Sequence, residues 1–137
     1  MRNKIEISTD KTRLDFPVIV DFLHNHSYWA RTRPESVIRK SIENSLCFGM
    51  YDGPGMIGFA RAVTDYSTFY YLADVFVLPA CRNRGLGHRL MNFVLDHPDL
   101  RGLRGSLTTQ TAHKFYEEFG FSRDSEIVRT RVMSNGP

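Results

Sequence analysis

Cysteine is scarce in this 137-residue chain: Cys47 and Cys81 are its only two, and they have no CxxC spacing. That excludes a disulfide framework and a cysteine-based metal site. Long apolar runs are missing as well. The two longest, around Met56 to Val63 and Tyr70 to Ala80, are broken by Arg61 and Asp74, far short of the ~20 apolar residues of a spanning helix. Met1 to Leu14 is polar and charged throughout, so no basic-then-apolar leader opens the chain. These absences lead us to expect a reduced, cytoplasmic protein with no membrane partner. There is no large excess of one charge either. The net charge of +3 is too small for bulk binding to nucleic acid, which needs a broad basic face. No repeat, linker or low-complexity stretch interrupts the chain, and 42% hydrophobic with 24% charged residues suits a single globular domain over residues 1–137.

What is present has a changing period. Ile5 and Ile7 alternate with polar neighbours, as in a short edge strand. Asp15 suits an N-cap for a helix from about Phe16, with Val18, Ile19, Phe22 and Leu23 on its buried face. Pro34 predicts the first helical position of a second helix, with Ile38 and Ile42 stacked four apart, ending near Asn44 or Ser45. From Leu46 the period falls to two: Leu46, Phe48 and Met50 point one way, Cys47, Gly49 and Tyr51 the other. Turn chemistry at Asp52 to Gly55 leads to a strand over Met56 to Val63. A further turn at Asp65 to Thr68 leads to a nearly all-apolar strand over Phe69 to Leu78, read as central and covered on both faces. Leu86, Leu90, Phe93 and Val94 then mark an amphipathic helix stopped by His97-Pro98. Leu103 to Thr109 reads as a strand, and Ala112 to Phe119 as a helix ended by Gly120. Val128, Thr130 and Val132 read as a closing strand. The order is mixed α/β, with antiparallel strands preceding a βαβα unit.

The chemistry is concentrated between Val75 and Leu90, where an apolar strand runs through a glycine-bearing loop into a helix. The first N–H groups of a helix have no internal partner and carry a partial positive charge, so they attract phosphate. Gly85 and Gly87 let backbone approach the anion, and Arg82 and Arg84 add charge beside it. A pyrophosphate suits this loop. No Lys-Ser or Lys-Thr follows Gly87, so the Walker A metal ligand is missing, and Leu90 stands where a dinucleotide fingerprint has its third glycine.

What remains, R-x-x-G-x-G after V-x-V-L-P, resembles the acyl-CoA-binding motif of the GCN5-related N-acetyltransferase (GNAT) superfamily. Ala112-His113-Lys114-Phe115-Tyr116-Glu117-Glu118-Phe119-Gly120-Phe121 is similar to that family's A-x-x-F-Y-x-x-x-G-F block. The resemblance implies a GNAT-like fold: a mixed central sheet with a splayed parallel pair, here Phe69–Leu78 and Leu103–Thr109, and helices on both faces. It implies acetyl-CoA as cosubstrate, with no metal. Backbone at Val75, Phe76 and Val77 would hold the acyl-pantetheine, and an N–H there would polarise the thioester carbonyl. Arg82, Asn83, Arg84, Gly85, Leu86, Gly87 and His88 would wrap the diphosphate, and Thr109 would lie near pantetheine or cap the next helix.

By the same resemblance Tyr116 is the acid that protonates the departing thiolate. Asp74, the only acid in the central strand, is the candidate base, since a lysine-like amine with a reference pKa of about 10.4 must lose a proton before attack. The acceptor, a small-molecule or peptide amine, would meet the connection between the first two helices through Tyr28, Trp29 and Arg31, with Tyr70 and Tyr71. Arg31 or Arg33, if either faced the pocket, would suit a carboxylate-bearing acceptor. Family members often form homodimers. A CoA-binding module without catalysis is the alternative, and ordinary histidine roles outweigh a metal for His24 and His26.

Overall fold

The computed structural model describes residues 4–123. Among these, five strands form one sheet in chain order: β1 (Ile5–Ser8), β2 (Leu46–Asp52), β3 (Gly55–Thr64), β4 (Phe69–Val77) and β5 (Arg104–Ser106). The first four are antiparallel neighbours; β4 and β5 run parallel. Residues up to Leu107 make one compact unit, and the chain from Thr108 makes another.

One face of the sheet is covered by α1 (Phe16–His26) and α2 (Glu35–Glu43). Asp15 caps α1 as expected, its Oδ1 accepting from the Val18 N–H at 3.3 Å. Pro34 stands one position earlier than expected: its ψ of 150° is extended, and its carbonyl accepts the first helical bond from Ile38. It is therefore the N-cap, a position where its missing N–H also costs nothing. Ile19, Phe22, Leu23 and Ile38 pack with Cys47, Tyr51, Met56, Phe59 and Phe76 into the core, and the Phe22 and Phe76 rings stack at 4.0 Å. Burial of each such side chain is worth about 1.5–3 kcal/mol. It also raises the Cys47 thiol to about 11.

The opposite face carries α3 (Leu86–Asp96), whose Leu90, Met91 and Val94 are fully buried. Phe93, expected on the buried stripe, is 40% exposed and meets Phe48 only edge-on at 6.1 Å. The alternation in β2 is as the sequence predicts: Phe48 meets α3's side and Cys47 and Tyr51 the other.

Other elements differ from the sequence reading. Two short 3-10 turns, Lys11–Arg13 and Pro79–Cys81, were not expected. The strand predicted over Leu103–Thr109 spans only Arg104–Ser106, with three rungs to β4 that end at Tyr71–Ser106. Just beyond, the β3–β4 register shifts between Phe59–Phe76 and Arg61–Ala73. One extra residue lies in β4, where Asp74 has φ 54°. A bulge bends and twists its strand, which carries β4 away from β5. In the second unit, the helix predicted over 112–119 shortens to α4 (His113–Glu117). Gly120, at φ 91°, ends it with a Phe121 N–H to Tyr116 carbonyl bond, the wide closing loop that a left-handed glycine permits. The strand expected at 128–132 lies outside the described residues.

Candidate active site

The bulge in β4 sets the first half of the site. Two successive bulged residues share a face, so Ala73 and Asp74 both turn toward the α1–α2 side, where Arg61 of β3 also points. A buried carboxylate must be paired to be tolerated. Asp74 Oδ1 accepts from Trp29 Nε1 at 2.8 Å; Oδ2 accepts from Arg33 Nη1 at 2.8 Å and Arg61 Nε at 3.0 Å. Its side chain is 3% exposed. Arg61 also donates to Ser45 Oγ at 3.0 Å, and Ser45 donates to the Ser41 carbonyl.

The loop between α1 and α2 is folded by its own bonds before it reaches Asp74. Ser27 Oγ donates to the Leu23 carbonyl and accepts from the Ala30 N–H, and Arg31 Nε donates to the Ser27 carbonyl at 3.0 Å. His24 Nε2 donates to the Arg33 carbonyl, so this histidine holds the loop. Among the described residues no group of three His, Cys, Asp or Glu is placed to hold a metal. Tyr28, exposed, stands edge-on to the Trp29 ring at 5.0 Å.

Of the five residues expected to meet the acceptor, the structure brings Trp29 onto Asp74 and keeps Tyr28 and Arg31 on the same loop. Tyr71 shares the α1–α2 face by alternation, but Tyr70, one residue earlier, points to the other face. Tyr70 is buried, and its ring lies where a Cβ on Gly105 would be. Burial raises its hydroxyl pKa. Tyr70 therefore packs against β5, because consecutive strand residues cannot line one pocket. Arg61 and Ser45 were missed as site residues. A lone cation inside an otherwise apolar strand was the available signal for Arg61; nothing local marks Ser45.

The second half is the edge β4 presents where β5 has departed. Leu72 to Val77 have no β5 partner among the described residues. Leu78 donates to the Ile57 carbonyl at 2.8 Å, so Val77, its neighbour, turns its own peptide groups away from β3 to the open side. There the Val77 carbonyl accepts from Arg82 Nε at 3.1 Å. Val75 and Val77 are half-buried, while Phe76 sends its ring into the core.

After the Pro79–Cys81 turn, the chain reaches α3 through two left-handed residues, Asn83 (φ 65°) and Gly85 (φ 73°). Asparagine and glycine tolerate this region best. A Cβ on Gly85 would meet nothing within 4 Å, so the backbone angle, not space, requires glycine there. No side chain caps α3, leaving the N–H groups of Leu86, Gly87 and His88 at a positive helix terminus. Arg84 Nη2 lies 3.8 Å from Asp52 Oδ2 at the β2–β3 turn, a surface pair worth little energy. A diphosphate suits this donor set, and an extended amide-bearing arm suits the open strand edge.

In the second unit, Thr109 Oγ1 accepts from the Ala112 N–H at 3.0 Å and so closes the turn leading into α4. Tyr116 is half-buried, with ring neighbours Phe115 at 5.1 Å and Phe121 at 6.1 Å.

Residues 14–121 match the acetyltransferase (GNAT) family. A protein of Gibberella zeae named as an acetyltransferase is 30% identical over 151 aligned residues, covering 93% of this chain and 85% of that protein. The solved structure of a GNAT-family protein from Xanthomonas campestris pv. campestris is 40% identical, with a TM-score of 0.87 over 93% of this chain and 94% of the other. An aminoglycoside N-acetyltransferase solved with CoA shares the fold, at 21% identity and a TM-score of 0.69 over 96% of this chain and 97% of its own. The parted strands and the uncapped helix after R-x-x-G-x-G are thus found in a chain that belongs to the GNAT family of acetyltransferases.

Proposed function

We propose that this protein transfers an acetyl group from acetyl-CoA to a primary amine by direct attack within a ternary complex. The observation that carries this reading is the open β4 edge leading directly into the uncapped N-terminus of α3, in a member of an acetyltransferase family. Acetyl-CoA would supply the acetyl group activated as a thioester. Val75 and Val77 would bind the pantetheine arm through their peptide groups, with Phe76 fixing the strand from the core. The N–H groups of Leu86, Gly87 and His88 would hold the diphosphate, Asn83 and Gly85 would set the loop's curvature, and Arg82 and Arg84 would neutralise charge. Thr109 would stiffen the approach to α4, and Tyr116 would protonate the leaving thiolate.

Asp74 has a different part from the one its sequence position implies. Both oxygens are engaged by three donors, two of them cations, and the side chain is 3% exposed, an arrangement that favours the ionised carboxylate over its taking a proton from an incoming amine. We assign it to positioning Trp29 and Arg33, with the amine proton leaving to water. Thiol release from acetyl-CoA across a panel of amines tests the reading. Acceptor-dependent release is expected, and Tyr116→Phe should lower kcat by about 100-fold or more with the acetyl-CoA Kd within twofold of the parent. A protein that binds acetyl-CoA but releases no thiol with any amine is a binding module, and the reading is then wrong.

A further inference from the structure

The charges around Asp74 do not cancel. Arg33 and Arg61 both bond to it, and among the described residues no other carboxylate pairs with either guanidinium. One excess positive charge therefore sits where Arg61 is 12% and Arg33 23% exposed. Excess charge held partly out of water is costly unless an anion joins it. Arg33 spends a single nitrogen on Asp74 and keeps donors for a second oxyanion, in the planar geometry that suits carboxylates. Beside it, Trp29 is anchored by its Nε1 while 39% of the residue stays exposed, a flat apolar surface next to the cation. Arg31, exposed on the same loop, adds to the positive field.

We propose that the acceptor is an amine of amino-acid type, whose carboxylate docks on Arg33 beside Trp29, with Arg61 supplying the unbalanced charge behind it. This deepens the acetyltransferase reading and rests on it. Asp74 immediately precedes Val75 in the strand, so a carboxylate held at Arg33 keeps an amine a few bonds away on the side of the proposed acetyl site. A neutral acceptor leaves the excess charge unmatched, and a diamine meets repulsion.

Trp29 is the only tryptophan in the chain, so its fluorescence reports occupancy without requiring turnover. The full-length protein, saturated with CoA, is titrated with the common amino acids and with their carboxamides at constant salt. At least one amino acid should bind ten-fold or more tightly than its own amide. Arg33→Gln should bring that ratio within twofold, and Arg33→Lys should keep part of it, with acetyl-CoA affinity as the folding control. Equal affinity in every pair, no signal from any amino acid, or an undiminished preference in folded Arg33→Gln overturns the proposal. Thiol release measured on the same pairs separates the two readings. Release without acid preference sinks the anionic acceptor and leaves the transferase; preferential binding without release leaves the anion site and sinks the transferase.

Discussion

The two halves of the site are built in opposite ways. Around Asp74, the work is done by four side chains from three separate places in the chain, Trp29 and Arg33 on one loop, Arg61, and Asp74 itself, locked by charge in a largely buried cluster. From Asn83 to His88, it is done by the backbone: two left-handed residues and a helix start with no side-chain cap. A pre-bonded cluster resists change and discriminates among partners. A helix start without a side-chain cap favours one kind of anion and asks little of its neighbours. This contrast suits a protein whose cosubstrate is common to its family and whose acceptor is its own.

The sharpest way to break the contrast is to remove the hub. Asp74→Ala strands two guanidiniums and places alanine at φ 54°, so unfolding stability should drop by about 3–5 kcal/mol, read by urea denaturation followed through Trp29. Asp74→Asn keeps the shape and the tolerance for left-handed backbone, and so isolates the charge from the strain. A loss under 1 kcal/mol in both variants would mean that the cluster is not the rigid half.

Gly85→Ala should do less to the fold and more to the cosubstrate. Forcing φ 73° on alanine costs about 1–2 kcal/mol, and relaxation of the loop would misdirect the α3 N–H groups. A weaker acetyl-CoA Kd, with the acid-over-amide preference intact, is the expected result from calorimetry. Loss of acceptor preference instead would show the halves to be coupled.

The smallest effect is a difference in thiol reactivity. Cys47 is buried and its thiol stays protonated to about 11, whereas Cys81 lies half-exposed in the Pro79–Cys81 turn. Iodoacetamide at pH 8 to 9 should label Cys81 first. Because folding raises the Cys47 pKa from its ordinary 9.0, this thiol adds stability that is complete below pH 9 and fades as pH rises toward 11. Early labelling of Cys47 would show that the dense side opens locally.

Much of the backbone half was legible because its signals are local. A glycine beside arginines at a strand-to-helix junction carries its meaning within a dozen residues, and the alternation through β2 correctly assigned Phe48 and Cys47 to opposite faces. The other half was less so. Asp74 is visible as an acid in an apolar strand, but its role depends on Trp29 and Arg33, 45 and 41 residues away. The extra residue that turns Asp74 to the same face as Ala73 is a register event between strands, with no mark in either strand alone. Tyr70 and Tyr71 are parted by plain alternation, which puts consecutive strand residues on opposite faces.

The sequence by itself determined the order of the main helices and strands among the described residues, the cap of α1 at Asp15 and the glycine-bearing passage from β4 into α3, because short-range sterics and capping decide such features. Only the tertiary structure decided that Asp74 is shared by two arginines and a tryptophan, so that among the described residues two guanidiniums share one carboxylate. Ion pairing and solvent exclusion depend on which distant groups the sheet brings within 3 Å, a distance no linear spacing encodes.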